Sequence, residues 1–156
     1  MPKFFQRYMA GEILAAVDGS QHSYRVLEEA AKLAKSTGSK VLLLYVVEKL
    51  EAPPEFAQYV KIERIEADPD IYYRERVGKV VLEKLGNVLK EKGVEHEPLL
   101  EFGNPADRIL ETADARKPSY IVVGVVGLRG IRRVMALGSV ARRVIENAKT
   151  PVVVVP

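Results

Sequence analysis

The chain has 156 residues, of which 47% are hydrophobic and 29% are charged, a composition typical of one globular domain with its own core. It contains no cysteine and only 2 histidines, which excludes disulfides and thiolate catalysis and argues against a tight transition-metal site. The formal net charge of +3 is too small to indicate a nucleic-acid-binding protein, although it is compatible with an anionic small ligand.

The N-terminal residues show no clear periodicity, and we expect residues 1–11 to form an extension before a domain that covers residues 12–156. Glu12 interrupts the apolar stretch at this end, which argues against a cleaved signal peptide. No apolar run approaches the roughly 18 residues that a membrane-spanning helix requires. These features predict a cytoplasmic protein that does not contact a membrane.

The first half of the domain predicts a strand, a helix and a second strand. The short apolar runs Ile13–Val17 and Val41–Val47 are typical of strands buried on both faces. Between them, apolar residues recur at helical spacing from Val26 to Ala34, with Ser20 placed to cap the helix and Gly38 placed to end it. Parallel strands joined by a helix form a right-handed crossover unit.

The segment Glu48–Asp68 is the least regular part of the sequence. Pro53 and Pro54 lack the N–H groups that helices and sheets use, so we expect no regular element here. A connection of about twenty residues is unusual in a compact domain. A lid, an interaction segment and a flexible excursion all remain open as interpretations.

A long second helix is predicted to open at Asp68 and Pro69, because aspartate is a favourable N-cap and proline fits the first helical position. It ends at Gly93. Its core-facing residues share a helical spacing: Val77, Val81, Leu85, Val88 and Leu89. Gly78 and Gly86 fall on one face of this helix, where they allow close approach to the sheet.

The remaining elements continue the alternation. The polar strand Val94–Phe102 fits a sheet edge, and a helix capped by Asn104 follows it. Next come a buried strand at Tyr120–Val123, a helix and a final strand at Val152–Val155. The apolar side of that last helix consists of Val140, Val144, Ile145 and Ala148. This order predicts an α/β fold, a doubly wound five-stranded parallel sheet in the order 3-2-1-4-5 with helices on both faces, Rossmann-like.

The predicted strand order also places the candidate site. Ligands of such sheets bind at the carboxyl ends of the two strands whose connections run in opposite directions, here the first and the fourth. These strands end at Asp18 and Gly124, so we expect the two turns to meet in one crevice. Asp18 either accepts a hydrogen bond from a ligand amine or hydroxyl, or only shapes its turn. We expect His22 and His96 to be exposed polar residues.

Glycines and a helix N-terminus follow the fourth strand. Gly124 and Gly127 would let the backbone approach a ribose or a phosphate. Gly138 and the amides of Ser139 and Val140 begin a helix, where unpaired N–H groups favour an anion. Basic residues near this feature raise the local positive potential: Arg129, Arg132, Arg133, Arg142 and Arg143. Alternatively, the glycines only serve the turn, Ser139 only caps its helix and the arginines are solvated.

Taken together, these residues resemble the universal stress protein family, over nearly the whole domain from Ile13 to Val155. The motifs that carry the resemblance occur in this order: Val17-Asp18-Gly19-Ser20 with His22-Ser23, Gly103-Asn104-Pro105-Ala106, Ile121-Val122-Val123-Gly124, Gly138-Ser139-Val140-Ala141 and Thr150-Pro151-Val152-Val153-Val154-Val155. The resemblance implies one branch that binds ATP and one that does not. The binding branch is marked by glycine, two residues, glycine, nine residues, and glycine with serine or threonine.

This chain departs from the ATP-binding pattern in two ways. Ten residues, 128–137, separate Gly127 from Gly138, and the residues between the first two glycines are Val125 and Val126, where the family often has a small hydroxyl residue and a basic or polar one. A one-residue change of loop length is readily absorbed.

By position, the resemblance implies a set of nucleotide-binding residues. Asp18 and the backbone of Val46 would hold the adenine, the loop glycines would line the ribose and phosphates, and the helix start would bind the phosphates. The complete set is Ala16, Val17, Asp18, Val46, Gly124, Gly127, Arg129, Gly138, Ser139 and Val140. The implied ligand is ATP or another adenine nucleotide, with or without Mg²⁺, and the implied assembly is a homodimer through Val152–Val155.

Our leading expectation is a homodimeric adenine-nucleotide-binding regulator of the stress response, without catalytic or metal-ligating residues. The main alternative is an interaction module of the same fold, whose crevice is empty and whose dimer surface and Glu48–Asp68 segment bind an unknown protein partner. An adenylyl-transferring or ATP-hydrolysing enzyme is disfavoured. Only His22 lies near the first helix, and the sequence has no G-x-x-x-x-G-K-[ST] loop.

Overall fold

A computed structural model describes residues 11–125 and 137–156 of the chain. Its five strands are β1 Glu12–Val17, β2 Lys40–Val47, β3 His96–Phe102, β4 Tyr120–Gly124 and β5 Val152–Val155. They form one sheet in the order β3-β2-β1-β4-β5, and every neighbouring pair is parallel. The predicted fold class and strand order are confirmed. The predicted extension, residues 1–11, lies almost wholly outside the described residues.

Helices cover both faces of this sheet. They are α1 Ser23–Thr37, α2 Pro54–Ile62, α3 Pro69–Glu91, α4 Pro105–Arg116 and α5 Ser139–Asn147. Alternate residues of β1 point into two separate apolar layers, with Ile13 packing toward α1 and α3 and Leu14 toward α4 and α5. None of the helices within residues 11–125 and 137–156 is long and apolar enough to cross a membrane.

Two of the three predicted helix caps are confirmed. Asp68 Oδ1 accepts hydrogen bonds from the N–H groups of Asp70 (2.9 Å) and Ile71 (3.1 Å), and Asn104 Oδ1 accepts one from the N–H of Asp107 (3.1 Å). The prediction for Ser20 is wrong. Helix α1 begins at Ser23, with His22 at the N-cap position and no side-chain cap.

The absence of regular structure predicted for Glu48–Asp68 is also wrong, because α2 lies inside that segment. Pro53 occupies the N-cap position with φ −56° and ψ 147°, and Pro54 is the first helical residue. The N–H groups of a helix's first turn have no partner within the helix, so a proline there costs no hydrogen bond. The proline pair therefore starts a helix.

Glycines bring α3 close to the edge strand β3, as predicted. A Cβ on Gly78 would collide with the side chain of Leu100, and a Cβ on Gly86 would lie 2.7 Å from Nε2 of His96. His96 is consequently half-buried under α3 and is not the exposed residue that we expected. The predicted core-facing residues of α3 did not include Leu82, which is only 7% exposed. Those predicted for α5 wrongly included Ile145, which is 41% exposed.

An ionic cluster joins the amino ends of three strands to the end of α4. Arg116 Nη2 lies 2.6 Å from Glu12 Oε2 of β1 and 2.7 Å from Glu97 Oε2 of β3. Lys40 of β2 contacts the same two carboxylates at 3.4 and 3.2 Å. Hydrogen bonds from Arg116, and then from Lys40, lower the pKa of Glu97 from 4.5 to about 2. This cluster lies at the edge of the sheet opposite the candidate site.

Candidate functional site

A cleft of about 690 Å³ opens at the carboxyl ends of β1 and β4, where the strand connections reverse direction. Its lining includes eight of the predicted residues: Ala16, Val17, Asp18, Val46, Gly124, Gly138, Ser139 and Val140. The other two, Gly127 and Arg129, lie outside the described residues. The structure thus brings the described members of the predicted set into one cleft, and their contacts with a nucleotide remain predictions.

The carboxylate of Asp18 is held in place at the floor of this cleft. Its Oδ1 accepts hydrogen bonds from the N–H of Ser20 (2.9 Å) and from the hydroxyl of Ser23 (3.1 Å). Oδ2 has no hydrogen-bond partner among the residues that the structure describes. Asp18 therefore shapes its turn through one oxygen and leaves the other available to a ligand, so the two interpretations of this residue are compatible.

Tyr45 stands beside Asp18 in the cleft lining. Burial raises the pKa of the Tyr45 phenol, and the negative charges of Asp18 and Glu48 raise it further. A phenol is protonated at neutral pH even at its ordinary pKa, and both effects favour that form further.

Val46 of β2 lies beyond the end of the neighbouring strand β1. β1 ends at Val17, opposite Tyr45 of β2, while β2 continues to Val47. The Val47 carbonyl accepts a hydrogen bond from the N–H of Gly103 (3.1 Å), so it points toward β3. Successive residues of a strand direct their backbone groups to opposite sides. The Val46 carbonyl therefore faces the space beyond β1 and accepts no bond there from the described part of the chain.

The start of α5 supplies hydrogen-bond donors on the opposite wall. The N–H of Gly138 donates a hydrogen bond to the Val125 carbonyl at 3.0 Å, so the donors that remain for an anion are those of the residues that follow it. The first three helical residues, Ser139, Val140 and Ala141, have no hydrogen-bond partner for their N–H groups among the described residues, as is usual for a helix N-terminus. Gly138 and not Ser139 occupies the N-cap position.

His22 lines the cleft and is not the exposed residue that we expected. Its Nε2 lies 2.9 Å from the carbonyl oxygen of Val155 at the end of β5. A carbonyl only accepts, so the imidazole donates this hydrogen bond. No local pattern could reveal this contact, because its partners are 133 residues apart in the chain.

One wall of the cleft comes from a segment in which we had predicted no site residue. Lys49 and Leu50 follow β2 and line the cleft. Arg74 Nε donates a hydrogen bond to the Leu50 carbonyl (2.7 Å), and the Ala52 N–H donates one to Asp70 Oδ1 (2.7 Å). Two side chains of α3 thus hold this wall. Its one sequence signal is its position after the carboxyl end of a central strand.

The structure describes two of the five arginines in the predicted cluster. Arg143 forms an ion pair with Asp107, and Arg142 is exposed on α5. The remaining three arginines, at positions 129, 132 and 133, lie outside the described residues. Within residues 11–125 and 137–156, no group of three or more His, Cys, Asp or Glu side chains could hold a metal ion.

A doubly wound parallel sheet with a ligand-sized cleft at its strand reversal defines a Rossmann-like α/β domain. The model of the universal stress protein family matches residues 9–156, and the chain belongs to this family. It is 34% identical over 148 residues to a universal stress protein of Methanocaldococcus jannaschii, across 92% of this chain and 81% of that relative.

Solved structures of the family share the fold. The universal stress protein of Archaeoglobus fulgidus in complex with dAMP matches with a TM-score of 0.64 and 27% identity, over 96% of this chain and 99% of that chain. A universal stress protein in complex with cAMP matches with a TM-score of 0.64 and 25% identity, over 96% and 97% of the two chains. Both of these relatives were solved with an adenine nucleotide.

Proposed function

We propose that this protein binds an adenine nucleotide in the cleft at the ends of β1 and β4. The observation that carries the proposal is the separation of hydrogen-bond chemistry within one cleft. Asp18 Oδ2 and the Val46 carbonyl are acceptors on one side, and the N–H groups at the start of α5 are donors on the other. An adenine amine suits the acceptors, and a phosphate suits the helix start.

The cleft size and the family relatives support the same ligand class. A volume of about 690 Å³ falls inside the range of about 300–1,000 Å³ that is usual for small-molecule sites. The relatives solved with dAMP and cAMP carry an adenine base and a phosphate. We propose ATP or AMP as the ligand. Any Mg²⁺ would be held mainly by phosphate oxygens and water, since the described residues offer no cluster of carboxylates.

Calorimetric titration tests this proposal directly. The protein is titrated with ATP and with AMP, each with and without Mg²⁺, and GTP serves as the matched control ligand. We expect saturable heat with the adenine nucleotides and much weaker binding of GTP, because the O6 carbonyl of guanine would face two acceptors. If neither ATP nor AMP gives heat at high micromolar protein, the proposal is rejected and the interaction module is favoured.

We further propose that the protein acts as a regulator in the stress response and does not catalyse a reaction. His22 is the one histidine of the described cleft lining, and its Nε2 already donates to Val155. The described lining residues at the helix start, positions 137–141, include no acidic or basic side chain. An ATP turnover assay of the wild type and of Ser139→Ala checks this. Turnover that is lost in the variant would assign an activity to the cleft and overturn the proposal.

We also propose a homodimer formed through β5. This strand lies at one end of the described sheet, and its sequence Val152–Val155 is entirely apolar. The Pro151 carbonyl accepts a hydrogen bond from Ile121 of β4 and the Val155 carbonyl accepts one from Val125 just after β4, so the backbone groups of Val152 and Val154 face the open side. An unpaired apolar edge of this kind is a template for pairing with a second chain.

A further inference from the structure

We propose that His22 is a positioning residue that sets the phosphate-binding end of the cleft without contacting the phosphate. This inference rests on the proposed function, because it specifies how the same cleft is organised. The key observation is the hydrogen bond between His22 Nε2 and the Val155 carbonyl. It joins the start of α1 to the end of β5, past the carboxyl end of β4.

The Val155 carbonyl is shared between two donors. Besides the imidazole, it accepts the N–H of Val125 at 2.9 Å. Val155 itself is only 3% exposed, so a carbonyl in this environment has little access to water as a replacement partner. The two bonds fix the backbone immediately after β4.

The same backbone positions the helix start. The Val125 carbonyl accepts the N–H of Gly138 at 3.0 Å, and Gly138 is the N-cap of α5. Three hydrogen bonds therefore connect the imidazole to the helix whose free N–H groups form the proposed phosphate site. Each of these bonds fixes one backbone group, so together they set the position of the N-cap of α5 relative to His22.

Packing supports the same role. The ring of His22 fills the space beside Gly124 at the end of β4, where an added Cβ would lie 2.6 Å from its Cδ2. The ring thus fixes the turn both by contact and by its hydrogen bond. Removing the ring would let the turn after β4 and the start of α5 move. Asp18 and Val46, on the adenine-binding side of the cleft, would stay in place.

Three variants separate these contributions. His22→Phe keeps a ring but has no donor, His22→Gln places an amide donor near the position of Nε2, and His22→Ala removes both features. Binding of adenosine and of AMP is measured for each protein by calorimetry. The ratio of the two affinities isolates the contribution of the phosphate.

In His22→Phe we expect AMP to bind about five- to tenfold more weakly while adenosine binds within about twofold of the wild type. His22→Gln should recover most of the loss, and His22→Ala should show at least the loss of His22→Phe. Equal weakening of both ligands would indicate a general structural role and overturn the inference. Unchanged AMP binding in His22→Phe would overturn it as well.

A second measurement keeps the inference separate from the proposed function. Amide hydrogen exchange of ligand-free protein should show faster exchange at Val125 and Gly138 in His22→Phe than in the wild type, with the core of β1 and β2 unchanged. If the wild type binds neither ligand, the proposed function fails while this result still decides whether His22 holds the helix start. Unchanged exchange at both amides would reject the positioning role.

Discussion

The imidazole of His22 occupies the space that a side chain at position 124 would need. A Cβ on Gly124 would lie 2.6 Å from Cδ2 of His22 and 3.2 Å from Cγ2 of Val26. The ring is also held by its hydrogen bond to the Val155 carbonyl, so it cannot turn away without losing that bond. Packing alone therefore requires glycine at the end of β4, whatever ligand the cleft binds.

This contact predicts the effect of Gly124→Ala. The added methyl group should destabilise the protein by about 1–3 kcal/mol, the usual cost of overpacking a well-filled site. The cost should shrink to less than about 1 kcal/mol when Gly124→Ala is introduced into His22→Ala, because the ring is then absent. Urea unfolding of the wild type, both single variants and the double variant measures this. Equal costs in the two backgrounds would show that His22 is not the obstacle.

Asp18→Asn should separate ligand binding from folding. The amide oxygen can still accept the bonds from Ser20 and Ser23, so we expect the free energy of unfolding to change by less than about 1 kcal/mol. Adenine-nucleotide affinity should fall about tenfold or more, since a hydrogen bond to a charged acceptor is lost. Asp114→Asn, on an exposed position of α4, is the control. Calorimetry checks both, and undiminished binding by Asp18→Asn would remove this residue from the site.

The proposed dimer predicts a specific effect of proline in β5. The N–H of Val154 faces the open side of the strand, so Val154→Pro removes a donor from the edge without breaking the β4 ladder. We expect a dimer for the wild type and a folded monomer for this variant in light scattering coupled to size exclusion. Val154→Thr retains the N–H and should remain dimeric. A wild-type monomer at high micromolar concentration would contradict pairing through this edge.

Acid should weaken the cluster at the amino ends of the strands. Arg116, and after it Lys40, lowers the pKa of Glu97 from 4.5 to about 2, so the ionised carboxylate is favoured by folding. Its contribution is fully present above about pH 4.5 and is lost as the pH falls toward 2. The stability difference between the wild type and Glu97→Gln should therefore be largest near neutral pH and shrink over that window.

Thermal unfolding at several pH values between 7 and about 2.5 measures the difference. Glu101→Gln is a matched control on the same strand, because its exposed side chain forms no ion pair within the described residues. This control reports the effect of a Glu→Gln change that removes no ion pair. A wild-type advantage over Glu97→Gln that persists unchanged at the lowest pH would show that the ion pairs are not its source.

The class of fold and the location of the cleft could be predicted from the order of apolar runs and turns in the chain. Buried strands such as Ile13–Val17 are visible as apolar runs, and the caps Asp68 and Asn104 are local features whose partners lie two or three residues away. The alternation of these elements limits the topology, because parallel strands joined by helices cross over with one hand. The turn at Asp18 and the strand end at Gly124 followed from that topology.

The contacts that build the cleft could not be predicted in this way, because they form only in the folded protein. Pro53 and Pro54 permit a helix to begin, and that helix packs on α3 through an aromatic contact between Phe56 and Tyr73, whose ring centroids are 5.0 Å apart. Two hydrogen bonds, from His22 to the Val155 carbonyl and from the Gly138 N–H to the Val125 carbonyl, join residues that are not neighbours in sequence. Such pairings carry no periodic or local signal, since they exist only once the sheet has brought its strand ends together.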